Sequence, residues 1–246
     1  MDITFLGTNG WYDSPTGYTV CSLVRAKDFY LVLDAGGGFP FLDRYLADDR
    51  PVYVFLSHLH LDHVIGLHAL NKFNFKNGLA FLLADGYGKA FETLFSLPYS
   101  LPVGKLRYPV SITEGRDFGK LPFNLKGIPL AHSSVCWGAR LECEGRVLSY
   151  APDTGPCSGL AELAAGSNLL VTECSYRPGE ERPQWPHLNP QTAASAALNG
   201  GAERLVLTHF EAARYPDRES RLMAEKTARE IFPQTVAAFD GYTTEI

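Results

Sequence analysis

The amino-acid sequence predicts an α+β fold in which two β-sheets pack face to face with helices outside them, a four-layer αββα sandwich formed by residues 1–246 as a single domain. Three observations lead there. Short apolar, strand-like runs lead each half of the chain, with helical patterns interspersed. The two halves, up to Pro109 and from Phe123 onward, repeat in kind but at no fixed period. No Gly/Ser linker, charge block or low-complexity tract divides them. At 246 residues, with 46% hydrophobic and 20% charged side chains, the chain can bury a sizeable core without staples, and its composition is that of an ordered protein.

Ile3–Leu6 reads as a short strand closed by the turn cluster Gly7-Thr8-Asn9-Gly10. Tyr18–Arg25 and Phe29–Leu33 read as strands about the polar turn Ala26-Lys27-Asp28, and Asp34-Ala35-Gly36-Gly37-Gly38 breaks the chain. Phe39–Leu46 suits a short helix. Val52–Leu56, a continuous apolar and β-branched run, suits a buried strand; Val64, Leu67 and Leu70 then give a helical period reaching Phe75. Residues 79–83 suit another strand, Tyr87–Phe95 a helix, and Leu97–Pro109 irregular chain. Strand-like runs follow at 123–130, 135–143 and 146–151, then the turn Pro152-Asp153-Thr154-Gly155. A strand at Asn168–Thr172, a loop over Arg177–Pro186, a helix over 190–199, a strand at Arg204–Thr208, a helix over 218–231 and a strand at 235–239 complete the chain. Phe73, Phe75, Phe81, Tyr87, Phe91, Phe95, Tyr99 and Tyr108 concentrate in one segment. This reads as core packing, with a pocket wall or a homodimer face as the alternative.

Charge and cysteine content exclude several functions. Lys+Arg total 22 against 27 Asp+Glu, a formal charge of −5. That argues against nucleic acid as a partner, because non-specific phosphate binding needs a basic field. No apolar stretch approaches the roughly 18 residues of a membrane span. The opening Met1-Asp2-Ile3-Thr4-Phe5-Leu6-Gly7 lacks a basic segment followed by an apolar one, so no secretory signal is expected. Cys21, Cys136, Cys143, Cys157 and Cys174 are odd in number and show no Cys-x-x-Cys spacing. They read as buried thiols of a cytoplasmic protein.

Histidine carries the chemistry. His58-x-His60-x-Asp62-His63 places three imidazoles and a carboxylate within six residues, directly after a buried strand. Imidazole and carboxylate suit Zn²⁺ and related cations. His58 and His60 alternate on extended chain and can point the same way, whereas the adjacent Asp62 and His63 splay apart, so two ions share the cluster more naturally than one. His132, Asp153 and His209 each follow an apolar strand-like run, at the carboxyl end where the loops of a sheet gather. Singly, a histidine is more often a core or surface residue and an Asp in Pro-Asp-Thr-Gly a turn residue. Beside the first cluster, the ligand reading prevails. His68 fits no such pattern and reads as an ordinary helix residue. Glu173, ending a strand on the same side, could support the site.

In these residues and their order the chain resembles the metallo-β-lactamase superfamily over nearly its whole length. The resemblance implies a dinuclear centre between the sheets: one metal on His58, His60 and His132, a second on Asp62, His63 and His209, Asp153 bridging them, and Asp34 orienting a ligand histidine. Position 60 is His where the oxygen-reducing flavo-diiron branch has Glu, and the bridging position is Asp where the best-known β-lactamases have Cys. The opening Phe5-Leu6-Gly7-Thr8-Asn9-Gly10 and the sequence His187-Leu188-Asn189-Pro190-Gln191-Thr192 resemble the ribonuclease Z branch, in which the extra histidine meets the scissile phosphate. His187 otherwise reads as a surface residue at a helix start.

The expected function is hydrolysis of a small phosphodiester, such as a cyclic nucleotide or cyclic sugar phosphate, by a hydroxide formed on two divalent metal ions, with Zn²⁺ foremost and Mn²⁺ or Fe²⁺ suited by the same ligands. Asp62 and His187 are the expected proton-handling residues. The ribonuclease Z branch grips transfer RNA with a long basic arm between the third ligand histidine and the bridging Asp. Here only 20 residues separate His132 from Asp153, and strand-like runs fill most of them. Hydrolysis of an ester, thioester or lactone, 3′ processing of transfer RNA, and non-catalytic metal binding are the alternatives.

Overall fold

The protein is described by a computed structural model at residues 1–116, 118 and 121–246. Among them the strands are β1 (Asp2–Gly7), β2 (Asn9–Gly10), β3 (Cys21–Arg25), β4 (Tyr30–Leu33), β5 (Val52–Leu56), β6 (Leu79–Leu83), β7 (Val110–Glu114), β8 (Asn124–Pro129), β9 (Trp137–Cys143), β10 (Arg146–Ala151), β11 (Leu169–Glu173), β12 (Leu205–Thr208), β13 (Phe210–Glu211), β14 (Thr235–Ala237) and β15 (Thr243–Glu245). The helices are α1 (Leu61–Val64), α2 (Gly88–Leu94), α3 (Ser158–Ala164), α4 (Pro190–Gly200) and α5 (Arg218–Arg229). One sheet runs β15-β1-β3-β4-β5-β6-β7, the other β14-β12-β11-β10-β9-β8, and β13 pairs with β2. In each large sheet the hairpin-connected side is antiparallel (β15-β1-β3-β4; β8-β9-β10) and the rest is parallel.

Alternation along the strands sorts the side chains into layers. Leu31 and Leu33 of β4 face the second sheet and pack in one buried cluster with Phe5, Phe55, Leu148, Tyr150 and Val171. Tyr30 and Val32 face the other way, onto Leu67, Leu70 and Phe91. Leu170, Leu205 and Leu207 pack outward against Leu160, Ala194 and Ala224 of α3, α4 and α5. Three stacked cores between four layers make the αββα sandwich. The aromatic segment belongs mostly to the outer core: Phe73, Phe75, Phe81, Phe91, Phe95 and Tyr108 are buried, whereas Tyr99 is exposed. All five cysteines are free, with Cys21, Cys136 and Cys174 buried. No helix among the described residues is long and apolar enough to cross a membrane.

The expectations fail where backbone contacts outrank periodicity. The helix expected from Val64 to Phe75 is the single turn α1 followed by a 3₁₀ segment, Ile65–Lys72. Here the chain is pinned to the Gly-rich segment after β4: Ala35 N–H bonds the His63 carbonyl and Gly66 N–H bonds the Ala35 carbonyl. A Cβ on Gly66 would lie 2.1 Å from the Gly36 carbonyl oxygen, so this approach requires glycine. Phe39–Arg44 is likewise 3₁₀. The strand expected from Tyr18 begins only at Cys21, because the β1–β3 ladder shifts register between Phe5 and Gly7. The two- and three-residue strands β2, β13 and β15 are too short for a pattern, β7 (Val110-Ser111-Ile112-Thr113-Glu114) is a half-exposed edge strand rather than an apolar run, and α3 starts on the Cys157 thiol, which caps the Leu160 amide.

Leu148 sits between the sheets and is fully buried. Leu148→Ala should destabilise the protein by about 2–5 kcal/mol. Urea denaturation will show this as a lower midpoint at unchanged slope; an unmoved midpoint would mean the two sheets do not share this core.

Candidate metal centre

Six loops deliver the site. Asp34 follows β4, the His58–His63 motif follows β5, His132 lies in the β8–β9 connection, and Asp153, Glu173 and His209 lie at the carboxyl ends of β10, β11 and β12. Open α/β sheets gather ligand sites at strand carboxyl ends, and here two sheets contribute to one seam. The side chains fall into two groups whose donor atoms lie within 4.8 Å of one another: His58, His60, His132 and Asp153, and Asp62, His63 and His209. Asp153 faces both. Its Oδ2 lies 3.8 Å from His58 Nε2 and from His132 Nε2, while Oδ1 lies 3.3 Å from His63 Nε2 and 2.9 Å from His209 Nε2.

Hydrogen bonds behind these groups aim the rings of His58, His63 and His209. Asp34 is fully buried and takes the Ser57 amide (2.8 Å) on one oxygen, and the Ser57 hydroxyl (2.8 Å), the Tyr150 hydroxyl (2.7 Å) and His63 Nδ1 (2.8 Å) on the other. Since the Ser57 hydroxyl donates to Asp34, it accepts from His58 Nδ1 at 3.0 Å. The Ser175 hydroxyl donates to the His209 carbonyl and accepts from His209 Nδ1, both at 3.1 Å. His58, His63 and His209 therefore all turn Nε2 inward.

This geometry demands a cation. His63 Nε2 and His209 Nε2 lie 3.1 Å apart, and His60 Nδ1 and His132 Nε2 3.3 Å apart. For His63 and His209, whose Nδ1 atoms already donate, the facing Nε2 lone pairs repel unless a proton or metal lies between them. His58 Nε2 and His132 Nδ1 are buried without a hydrogen-bond partner. The donors fit divalent cations of the zinc type in residue kind and number. Charge differs between the groups. Burial, reinforced by His63, holds His58 well below its ordinary value and burial pushes His132 down to about 4, leaving neutral imidazoles ready to ligate. Burial opposes protonation of His63 and His209 too, but the buried carboxylates overcome it: Asp34 with Asp62 for His63, and Asp153 for His209, which rises to about 10. A metal in that group takes the place of these protons.

His187 belongs to neither group. It stands at the cavity wall, its ring centre 5.6 Å from that of His132 and 6.5 Å from that of His209. Its Nδ1 donates to Glu173 Oε1 at 2.7 Å, and Glu173 is itself held by the amides of Thr154 (2.5 Å) and Ser175 (3.2 Å). Burial would lower the His187 pKa, but the Glu173 carboxylate raises it above its ordinary value near 6.5. His68 is exposed, on the Ile65 carbonyl. A cavity of about 370 Å³ opens onto both groups, lined also by Trp11, Tyr176, Arg182, Trp185 and Arg214. Sequence reasoning passed over these, and over Ser57, Tyr150 and Ser175. Ser57 and Tyr150 carried a faint signal, the one adjoining the motif and the other lying on the strand that leads to Asp153; the rim residues carried none. Gly10, read as a turn residue, is needed because a Cβ there would lie 2.5 Å from the His209 ring.

The chain belongs to the β-lactamase superfamily: the description "Beta-lactamase superfamily domain" matches residues 31–210. An uncharacterized protein of Mycobacterium leprae is 30% identical over 249 residues, covering 97% of this chain and 84% of its own. A ribonuclease Z of Ignicoccus hospitalis is 27% identical over 266 residues, covering 85% of this chain and 86% of its own. The metallo-beta-lactamase fold protein YhfI from Bacillus subtilis shares the fold with a TM-score of 0.81 at 19% identity, over 100% of this chain and 99% of that one. Members of this superfamily are metal-dependent hydrolases.

Two expectations follow from the geometry. Asp34→Ala strands the Ser57 amide and frees the His63 ring, so divalent-metal affinity should fall about 10–100-fold by competition with a chromogenic chelator; unchanged affinity would remove Asp34 from the site. In the metal-free protein, His187 should titrate above 6.5 by NMR. A raised folded pKa contributes stability that is complete below the unfolded value and lost as pH rises through the folded one. Glu173→Gln should lower that pKa and shrink the stability contribution; a titration unmoved by the substitution would contradict the pairing.

Proposed function

We propose that the protein hydrolyses a small phosphodiester, most simply a cyclic one. The observation that carries this reading is His187: a histidine clamped by a buried carboxylate, outside both ligand groups, facing the same cavity as they do. In this reading His58, His60, His132 and Asp153 hold one divalent cation, zinc foremost with manganese or iron(II) also suited, and Asp62, His63, His209 and Asp153 hold a second. Two such cations, when bound, acidify a water and offset charge on a phosphoryl group.

The chain's own residues supply the rest. Asp62 is positioned by the Trp11 amide, which donates to its Oδ2 at 2.8 Å, and it accepts the proton of the attacking water. In the metal-free chain burial opposes its ionisation, but His63 and His209 hold its pKa well below the ordinary carboxylate value, so it is an ionised carboxylate there. His187, its Nδ1 fixed on Glu173, turns the other ring nitrogen to the cavity. Protonated, it donates to the leaving oxygen or to the phosphoryl oxygens.

Size supports a small substrate. The cavity of about 370 Å³ is at the scale of small-molecule sites. The 20 residues between His132 and Asp153 are largely consumed by β9 and β10, leaving no room for an RNA-gripping arm. The −5 charge offers no compensating basic field. The cytoplasm suits a protein with five free thiols.

Metal-loaded protein should cleave a chromogenic phosphodiester in preference to a thioester or a lactone. His187→Ala should retain its metal while kcat and kcat/KM fall together, by about 10²–10⁴-fold. Near-normal kcat in that variant, preference for the thioester or lactone, or accurate 3′ trimming of precursor transfer RNA at physiological salt would each contradict the proposal.

A further inference from the structure

The chain has three tryptophans. Trp137 is buried between the sheets, whereas Trp11 and Trp185 are 66% and 53% exposed and line the same cavity as the candidate metal centre. Scattered exposed apolar residues need no explanation, but two of three indoles meeting at one opening do. Each is also anchored by its backbone. Trp11 holds φ at +74°, a region costly for a residue with a Cβ, and its amide is bonded to Asp62. Trp185 donates its amide to the Arg182 carbonyl at 2.9 Å and accepts the Tyr176 hydroxyl on its own carbonyl. Its indole lies 6.4 Å, centre to centre, from the His187 ring. Arg182 stands on the same rim, ion-paired to Glu180 at 3.1 Å.

We propose that Trp11 and Trp185 form a stacking site for a planar heteroaromatic ring, of the nucleobase kind, that the substrate carries beside its phosphate. This rests on the phosphodiester reading for the position of the phosphate, at the metal centre. The chemistry fits in three respects. An exposed indole offers a flat apolar face to a ring of any hydrogen-bonding pattern. The backbone of both indoles is held before ligand arrives, which lowers the entropy lost on binding. Trp185 adjoins the histidine assigned to the phosphate, so a ring one sugar away from phosphorus falls within its reach. Stacking on such a site gains about 5–150-fold in affinity per aromatic platform.

The test compares two phosphate monoesters on metal-loaded protein, adenosine 5′-monophosphate and ribose 5-phosphate, by titration calorimetry and tryptophan fluorescence. The nucleotide should bind more tightly by about 5–150-fold for each indole engaged and quench indole emission, which ribose 5-phosphate should not. Trp11→Ala and Trp185→Ala should each lower the ratio of the two affinities, and the double variant should bring it close to one. Trp185→Leu, which keeps bulk without a π face, should behave as Trp185→Ala. Trp137→Phe should leave the ratio as in the parent. A parent ratio near one, no binding of the nucleotide, or a ratio unmoved in the double variant would overturn the stacking site. The outcomes separate from the functional reading: cleavage of small phosphodiesters without base preference sinks the stacking site alone, and base-selective binding without phosphodiester cleavage sinks the reaction alone.

Discussion

Three carboxylates, Asp34, Asp62 and Asp153, lie buried or nearly so within one seam, and each must be compensated there. An uncompensated buried charge costs several kcal/mol or more. Asp34 is compensated by the protein itself, through the Ser57 amide and hydroxyl, the Tyr150 hydroxyl and His63. Asp153 is compensated only by imidazoles that are themselves candidate ligands: His63 and His209 stand by Oδ1, and His58 and His132 by Oδ2. A carboxylate so placed, with one oxygen toward each ligand group, calls for positive charge on both sides. The two groups are thus halves of one electrostatic unit.

The sandwich exists at this point to bring those halves together. Parallel strands end on the same side, so β4, β5, β10, β11 and β12 discharge their loops into one seam. The antiparallel β8–β9 hairpin adds His132 from the flank. Tyr150 shows how closely core and site are joined. Its ring packs in the cluster between the sheets, and its hydroxyl reaches Asp34 of the opposite sheet, so the same side chain fills the core and orients the site. On the far side, fully buried Arg221 bonds Thr8, Asn9 and Thr16. That fixes the loop carrying Gly10 against His209 and the Trp11 amide against Asp62. Burial lowers the Arg221 pKa to about 10, still charged at neutral pH.

Much of this was legible in the residues. The His58–His63 motif announced itself because ligand types were dense within six residues. His132, Asp153 and His209 were legible because each followed a strand-like run. Glu173 was noticed, but its grip on His187 was not, since the two are 14 residues apart with no periodic relation. Tyr150 and Ser175 serve the site through contacts across the fold, which no local pattern encodes. Trp11 and Trp185 sit on loops, where apolar periodicity says nothing. The 3₁₀ character of Ile65–Lys72 escaped for a similar reason: its cause is the backbone of Ala35 and Gly36, distant in sequence.

The central claim, that Asp153 joins two ligand groups into one site for two divalent cations, is tested most directly by titrating the metal-free chain with Mn²⁺ and following electron paramagnetic resonance. The account predicts saturation at two equivalents with an exchange-coupled pair spectrum, as expected for ions about 3.5–4 Å apart. Saturation at one equivalent, or two equivalents that give only isolated-ion spectra, would contradict it.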